Sequence, residues 1–175
     1  MGFDLSGMNP NMSSPKPELP PFTKRTDKDW EAYNEWQDDN CGVYFRNNVW
    51  WWRELWNFVT GTCDSILTEK DMESGSYNDG HGISKTKANR IASRLFKLIK
   101  SGKVKEYENR YNKELASLEQ VDCDTCGATG RRNKPPEPGA GDYQECNGCN
   151  SYPFSEDNVR EFANFCEQSG GFRIC

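Results

Sequence analysis

The chain has 175 residues and a net charge of -5, enough length for one domain with a modest core and the wrong sign for a protein that coats nucleic acid uniformly. Only 34% of residues are hydrophobic and the mean hydropathy is -0.95, values that favour disorder, but aromatics make up 13% and six tryptophans each supply a large buried area. No apolar run approaches membrane-spanning length and no basic, apolar leader opens the chain, so the expectation is a cytoplasmic protein with no membrane partner.

Residues 1–26 hold Pro10, Pro15, Pro17, Pro20 and Pro21 among serines and asparagines, which predicts an extended N-terminal arm in place of a helix. Met1-Gly2-Phe3-Asp4-Leu5-Ser6 formally fits a myristoylation pattern but lacks the second, polybasic signal that stable anchoring needs. Thr26 and Asp29 form a capping pair for a helix over about 27–38, with Trp30, Tyr33 and Trp36 on one side. A second helix is expected from Val43 to Thr60, because Phe45, Val49, Trp52, Trp56 and Val59 follow alternating steps of four and three and mark a core face. On the same helix Arg46, Trp50, Arg53 and Asn57 repeat that rhythm and line up guanidinium, indole and amide in a second stripe.

Gly61 ends this helix, and Asn78-Asp79-Gly80-His81-Gly82 is a loop whose His81, the only histidine, reads as a solvated turn residue. Ser84 caps a long helical stretch over about 85–119 that breaks at Ser101-Gly102. Ile91, Leu95 and Leu98 give its apolar side before the break, and Tyr107, Tyr111, Leu115 and Leu118 after it. Ser155 caps a final helix with Val159, Phe162 and Phe165/Cys166 inward, Gly170-Gly171 stops it, and Phe172 to Cys175 forms a short strand.

Between these helices Cys123, Cys126, Cys146 and Cys149 make two C-x2-C knuckles separated by nineteen residues. That spacing turns both pairs of sulfurs toward one ion and predicts a structural Zn2+ with four thiolates, which leaves no open position for a reactive water. Paired disulfides or buried thiols are the other reading, disfavoured in a reducing compartment. Cys41, Cys63, Cys166 and Cys175 lack any such spacing and stay unassigned. The run from Cys123 to Gly130 resembles one C-x-x-C-x-G-x-G repeat of the cysteine-rich domain of J-protein co-chaperones, with Ala128 in place of the first glycine. The likeness supports metal ligation and not chaperone activity. The expected class is mainly α, a small α+β fold, with an inserted zinc ribbon. Its parts are the arm 1–26, a helical domain 27–120, the ribbon 121–152, and a C-terminal helix and tail 153–175 packed on the helical domain.

Charge is strongly separated. Ser84 to Lys105 carries six lysines and two arginines with no acid, a local +8 that leaves -13 on the rest. Lys87, Arg90, Arg94 and Lys97 fall on one ridge, opposite Ile91 and Leu95. The ridge is either a solvated face balanced by acids such as Asp38 and Asp39, or a phosphate site that relieves its self-repulsion. The Trp50 stripe likewise reads either as core packing or as a surface that stacks a base and grips phosphate. There is no P-loop, no Rossmann fingerprint and no zinc-deaminase signature, and an enzyme is the least favoured class.

Taken together, Gly2-Phe3-Asp4-Leu5, the run from Tyr44 to Arg53, the two knuckles, Asn158-Val159-Arg160-Glu161-Phe162 and Ser169-Gly170-Gly171-Phe172 resemble a group of proteins encoded by tailed bacteriophages. The resemblance implies a phage protein acting on host defence. The function expected is non-enzymatic binding of an anionic nucleotide, with a cyclic nucleotide immune signal as the candidate. Trp50 stacks the base, Arg46 and Arg53 pair with phosphate beside Asn57, and Lys87, Arg90, Arg94 and Lys97 add charge. A homo-oligomer is expected because one short helix cannot wrap a ligand alone. The alternative is a zinc-ribbon module that binds nucleic acid or a host protein.

Overall fold

A computed structural model describes residues 2–117 and 153–175. Its organising element is a short strand, β1 (Gly2–Gly7), in which Phe3 and Leu5 are buried while Asp4 and Ser6 turn the other way, the period-two pattern of a half-buried strand. β1 is flanked by β2 (Tyr44–Asn48), with Leu5 opposite Phe45, and by β4 (Gly171–Ile174), with Leu5 opposite Ile174. β3 (Gly82–Ser84) pairs with β4, so the antiparallel sheet runs β2-β1-β4-β3. The start of the proline-rich arm is therefore an interior strand. Its alternation is too short to stand out before the prolines, and its partners lie far along the sequence. Residues after β1 stay bound to the body: Met8 N donates to Gly171 O at 2.7 Å and Asn11 N to Gln168 O at 2.7 Å. Gly170, at φ +63°, lies so close to this segment that a Cβ would sit 2.0 Å from Asn9 O.

Helix α1 (Asp27–Asp39) starts at the predicted cap, where Thr26 and Asp29 bond reciprocally. Its single buried residue is Trp36, whose indole N–H reaches Ser14 O at 3.1 Å. The helix expected from Val43 is in fact two elements, β2 followed directly by α2 (Val49–Thr62). The boundary is Asn48, whose side-chain oxygen accepts from the amides of Trp50 and Trp51 at 3.0 Å each. Phe45 nevertheless reaches the core, because a strand residue pointing inward and the inner face of the following helix meet the same cluster.

Within α2, Trp52, Leu55, Trp56, Phe58 and Val59 are buried. The rings of Trp52 and Trp56 stack at 5.2 Å, and both indoles are satisfied: Trp52 donates to Gly75 O at 2.7 Å and Trp56 to Met72 O at 3.0 Å. These acceptors belong to α3 (Glu69–Ser74) and its C-cap. The long basic stretch forms α4 (Lys85–Lys100) and α5 (Lys103–Ser117), parted by Gly102 at φ +73° as expected from Ser101-Gly102. α6 (Glu156–Gln168) starts on Ser155 and packs on α4; together with α2 they cover the apolar face of the sheet. Phe162 joins the layers, touching Phe45, Trp52 and Phe172 at centroid distances of 5.5, 5.7 and 5.9 Å. The described residues form a small α+β arrangement around one apolar core.

Candidate functional site

Helix α4 is the most amphipathic of the described helices, and its apolar side is small and fully inward: Ala88, Ile91, Ala92 and Leu95 are buried. The opposite side carries Arg90, Arg94 and Lys97. With Ser93 on α4 and Ser65 on the connection after α2, they wall a shallow groove of about 450 Å³ that no carboxylate lines among the described residues. Arg94 is held in place by its Nε, which donates to Thr62 O at 3.2 Å, at the negative end of α2. The groove thus combines forked and point cations with hydroxyl donors, a set suited to phosphate oxygens.

Lys87 does not join that groove. It turns to the buried Asp71, which also accepts from His81 Nε2 at 2.8 Å and, as the capping box of α3, from the amide and hydroxyl of Thr68 at 2.8 and 2.7 Å. Burial alone pushes the Asp71 carboxyl up, but the bonds from Lys87, His81 and Thr68 outweigh it and hold the group well below the usual carboxylate range. Lys105 is matched by Glu108. Only the two outlying cations Lys87 and Lys105 are thus matched among the described residues, by Asp71 and Glu108, and no ion pair joins the ridge to Asp38 or Asp39 on α1. Lys85, Arg90, Arg94, Lys97, Lys100 and Lys103 are exposed and have no acidic partner among the described residues.

The second stripe is divided. Arg46 lies on β2, on the outward face of the sheet, 3.5 Å from Asp4 Oδ1. Trp50, Arg53 and Asn57 remain on α2, with the Arg53 guanidinium 5.0 Å from the centre of the half-buried Trp50 ring and Asn57 exposed. Thr62 lies twelve steps along the helix from Trp50, about 18 Å along the axis, so this pair and the Arg94 groove do not face one small ligand within a chain.

The asparto-histidine contact was not legible beforehand. His81 was expected as a solvated turn residue; its side chain is mostly covered and pinned to Asp71. The available signal was Thr68-x-x-Asp71, the same capping pattern as Thr26-x-x-Asp29. Among the described residues no serine or cysteine bonds to His81, so no nucleophile–base pair is formed there. Cys63 and Cys166 are buried thiols pushed up by that burial, inert small core residues. Cys123, Cys126, Cys146 and Cys149 lie outside the described residues, and among the described ones no group of His, Cys, Asp and Glu is placed to hold a metal ion. No described helix is long and apolar enough to cross a membrane. Comparison with protein-family models, curated proteins and solved structures gives no match to this chain.

Proposed function

We infer that the protein binds an anionic nucleotide without transforming it, through the α4 groove. The observation that carries this reading is the groove itself: Arg90, Arg94 and Lys97 converge beside two hydroxyls with no carboxylate among them. Such a site holds phosphate by charge-assisted hydrogen bonds and needs no general base, so binding alone lowers the free concentration of the ligand. With the resemblance to tailed-phage proteins, the reading extends to sequestration of a cyclic nucleotide immune signal in the host cytoplasm. A nucleotide gripped both by Arg94 and by the Trp50–Arg53 pair has to lie between two copies of the chain, which makes a homo-oligomer part of the proposal. Zn2+ on Cys123, Cys126, Cys146 and Cys149 is the structural staple of the same reading.

Isothermal titration against a panel of cyclic di- and trinucleotides tests it. Arg94→Ala should weaken binding by about 1.5–3 kcal/mol, the range for hydrogen bonds to charged groups. No heat with any member of the panel, or unchanged affinity in a folded Arg94→Ala variant, overturns the reading.

A second reading rests on the length of the basic face. Exposed Lys85 and Lys100 extend the charge beyond the groove along α4, which is about 24 Å long, and Lys103 continues it at the start of α5, more than one nucleotide needs and suited to a nucleic-acid backbone. Affinity for a polynucleotide then falls steeply with salt, whereas a small nucleotide in the groove loses far less.

A further inference from the structure

Strand β2 is an edge of the sheet, and the direction of its backbone groups follows from its neighbours. Asp4 exchanges both backbone bonds with Cys175 on the far side of β1, Asp4 N to Cys175 O at 3.3 Å and Cys175 N to Asp4 O at 2.7 Å. Toward β2, the Asp4–Arg46 pair is therefore a non-hydrogen-bonded one. The bond from Gly7 N to Val43 O, 2.9 Å, keeps the same alternation at the other end of the strand. The N–H and C=O of Tyr44 and Arg46 consequently point away from β1, and no described residue bonds to them. The opposite edge, β3, has three residues and runs straight into the cap of α4, which leaves little to template on.

Beside the free groups of β2 lies a groove of about 360 Å³ between α1 and α6, lined by Asp38, Cys41, Tyr44, Arg46, Glu161 and Asn164. Among the described residues Asp38 and Glu161 are exposed and form no ion pair, whereas Arg46, the one described cation lining the groove, is drawn onto Asp4. The groove is thus an open hydrogen-bonding edge with acidic walls.

We propose that this edge receives an extended basic peptide of a partner protein as an added strand. Its backbone pairs with Tyr44 and Arg46, and its lysine or arginine side chains meet Asp38 and Glu161. A second copy of the chain is the poorer occupant: two-fold pairing of β2 with β2 brings the acidic walls of both copies together, and like charges at an interface select against it. The site is independent of the α4 groove and of any nucleotide.

The test uses the full chain and a synthetic seven-residue peptide alternating valine and lysine, followed by fluorescence anisotropy. Three comparison peptides replace lysine by glutamate, N-methylate alternate backbone amides, or scramble the alternation. Arg46→Pro removes the outward amide while leaving the bonds to β1 intact, since the lost N–H is one that faces solvent. The lysine peptide should bind; the glutamate and N-methylated peptides, and the Arg46→Pro variant with its melting temperature preserved, should each show binding about tenfold weaker or worse. Should Arg46→Pro fail to fold, Asp38→Lys combined with Glu161→Lys takes its place and should switch preference to the glutamate peptide. Absence of lysine-peptide binding, equal binding of the N-methylated peptide, or retained binding in the folded proline variant overturns the proposal. So does a dimer in sedimentation that disappears in Arg46→Pro, which would assign the edge to a second copy.

Discussion

Replacing Asp71 by alanine should expose how much of the fold hangs on one carboxylate. The group is 3% exposed and receives Thr68 N, Thr68 Oγ1, His81 Nε2 and Lys87 Nζ, which belong to the α3 cap, the loop before β3 and the first turn of α4. Removing one partner of a buried ion pair costs about 3–5 kcal/mol, because the other charge is stranded. Lys87 keeps 29% exposure and can swing toward water, which favours the lower end, while losing the cap adds about 1 kcal/mol. A net loss of about 3–4 kcal/mol corresponds to roughly 10 °C in melting temperature for a domain of this size. The pH dependence has a definite sign. Against the opposing effect of burial, Lys87, His81 and Thr68 depress the folded-state pKa, so the added stability is complete above the ordinary carboxylate value of about 3.9 and is lost as pH falls below it. Thermal unfolding of wild type, Asp71→Ala and Asp71→Asn from pH 7 to pH 2 measures this directly, and the gap between wild type and variants should narrow below pH 4. A difference under 1 kcal/mol at pH 7, or one that stays constant down to pH 2, refutes the account.

Two further outcomes are expected. Gly75→Ala puts a Cβ 2.0 Å from Trp56 Cε2, inside a stack that has no room to shift, and should cost at least about 1–3 kcal/mol in urea unfolding; a wild-type midpoint would show that α3 can move away from Trp56. Cys126→Ser should bring zinc well below one ion per chain by elemental analysis and lower the melting temperature, and full zinc with unchanged melting would end the four-thiolate assignment.

Helices that announce themselves by caps were readable from the residues. Thr26, Ser84 and Ser155 each precede a polar first turn and an apolar stripe, and α1, α4 and α6 begin there. The break at Gly102 was readable for the same reason, a residue that tolerates positive φ between two periodic runs. The β2–α2 junction was not, because Phe45, Val49 and Trp52 fit helical spacing equally well whether or not Tyr44–Asn48 is helical. Asn48 was the available cue, an unmarked N-cap before three tryptophans. Arg46 was consequently assigned to a helical stripe that it does not share. At the basic ridge the residues were right in kind but not in grouping. Whether Lys87 joined Arg90 or a buried acid depended on where Asp71 came to rest, a tertiary fact with no periodicity to reveal it.

The placement of β1 between β2 and β4 also fixes an order of events during synthesis. Translation proceeds at about 5–20 residues per second, so β1 waits on the order of ten seconds or longer before residues 171–174 exist to pair with it. In that interval β1 has only β2 beside it, a two-stranded ribbon that is marginal in water, with Trp52 of α2 available to stack on Phe3 at 5.4 Å but β4 and α6 still missing. The side of β1 that β4 covers therefore stays open until residues 171–174 have been made.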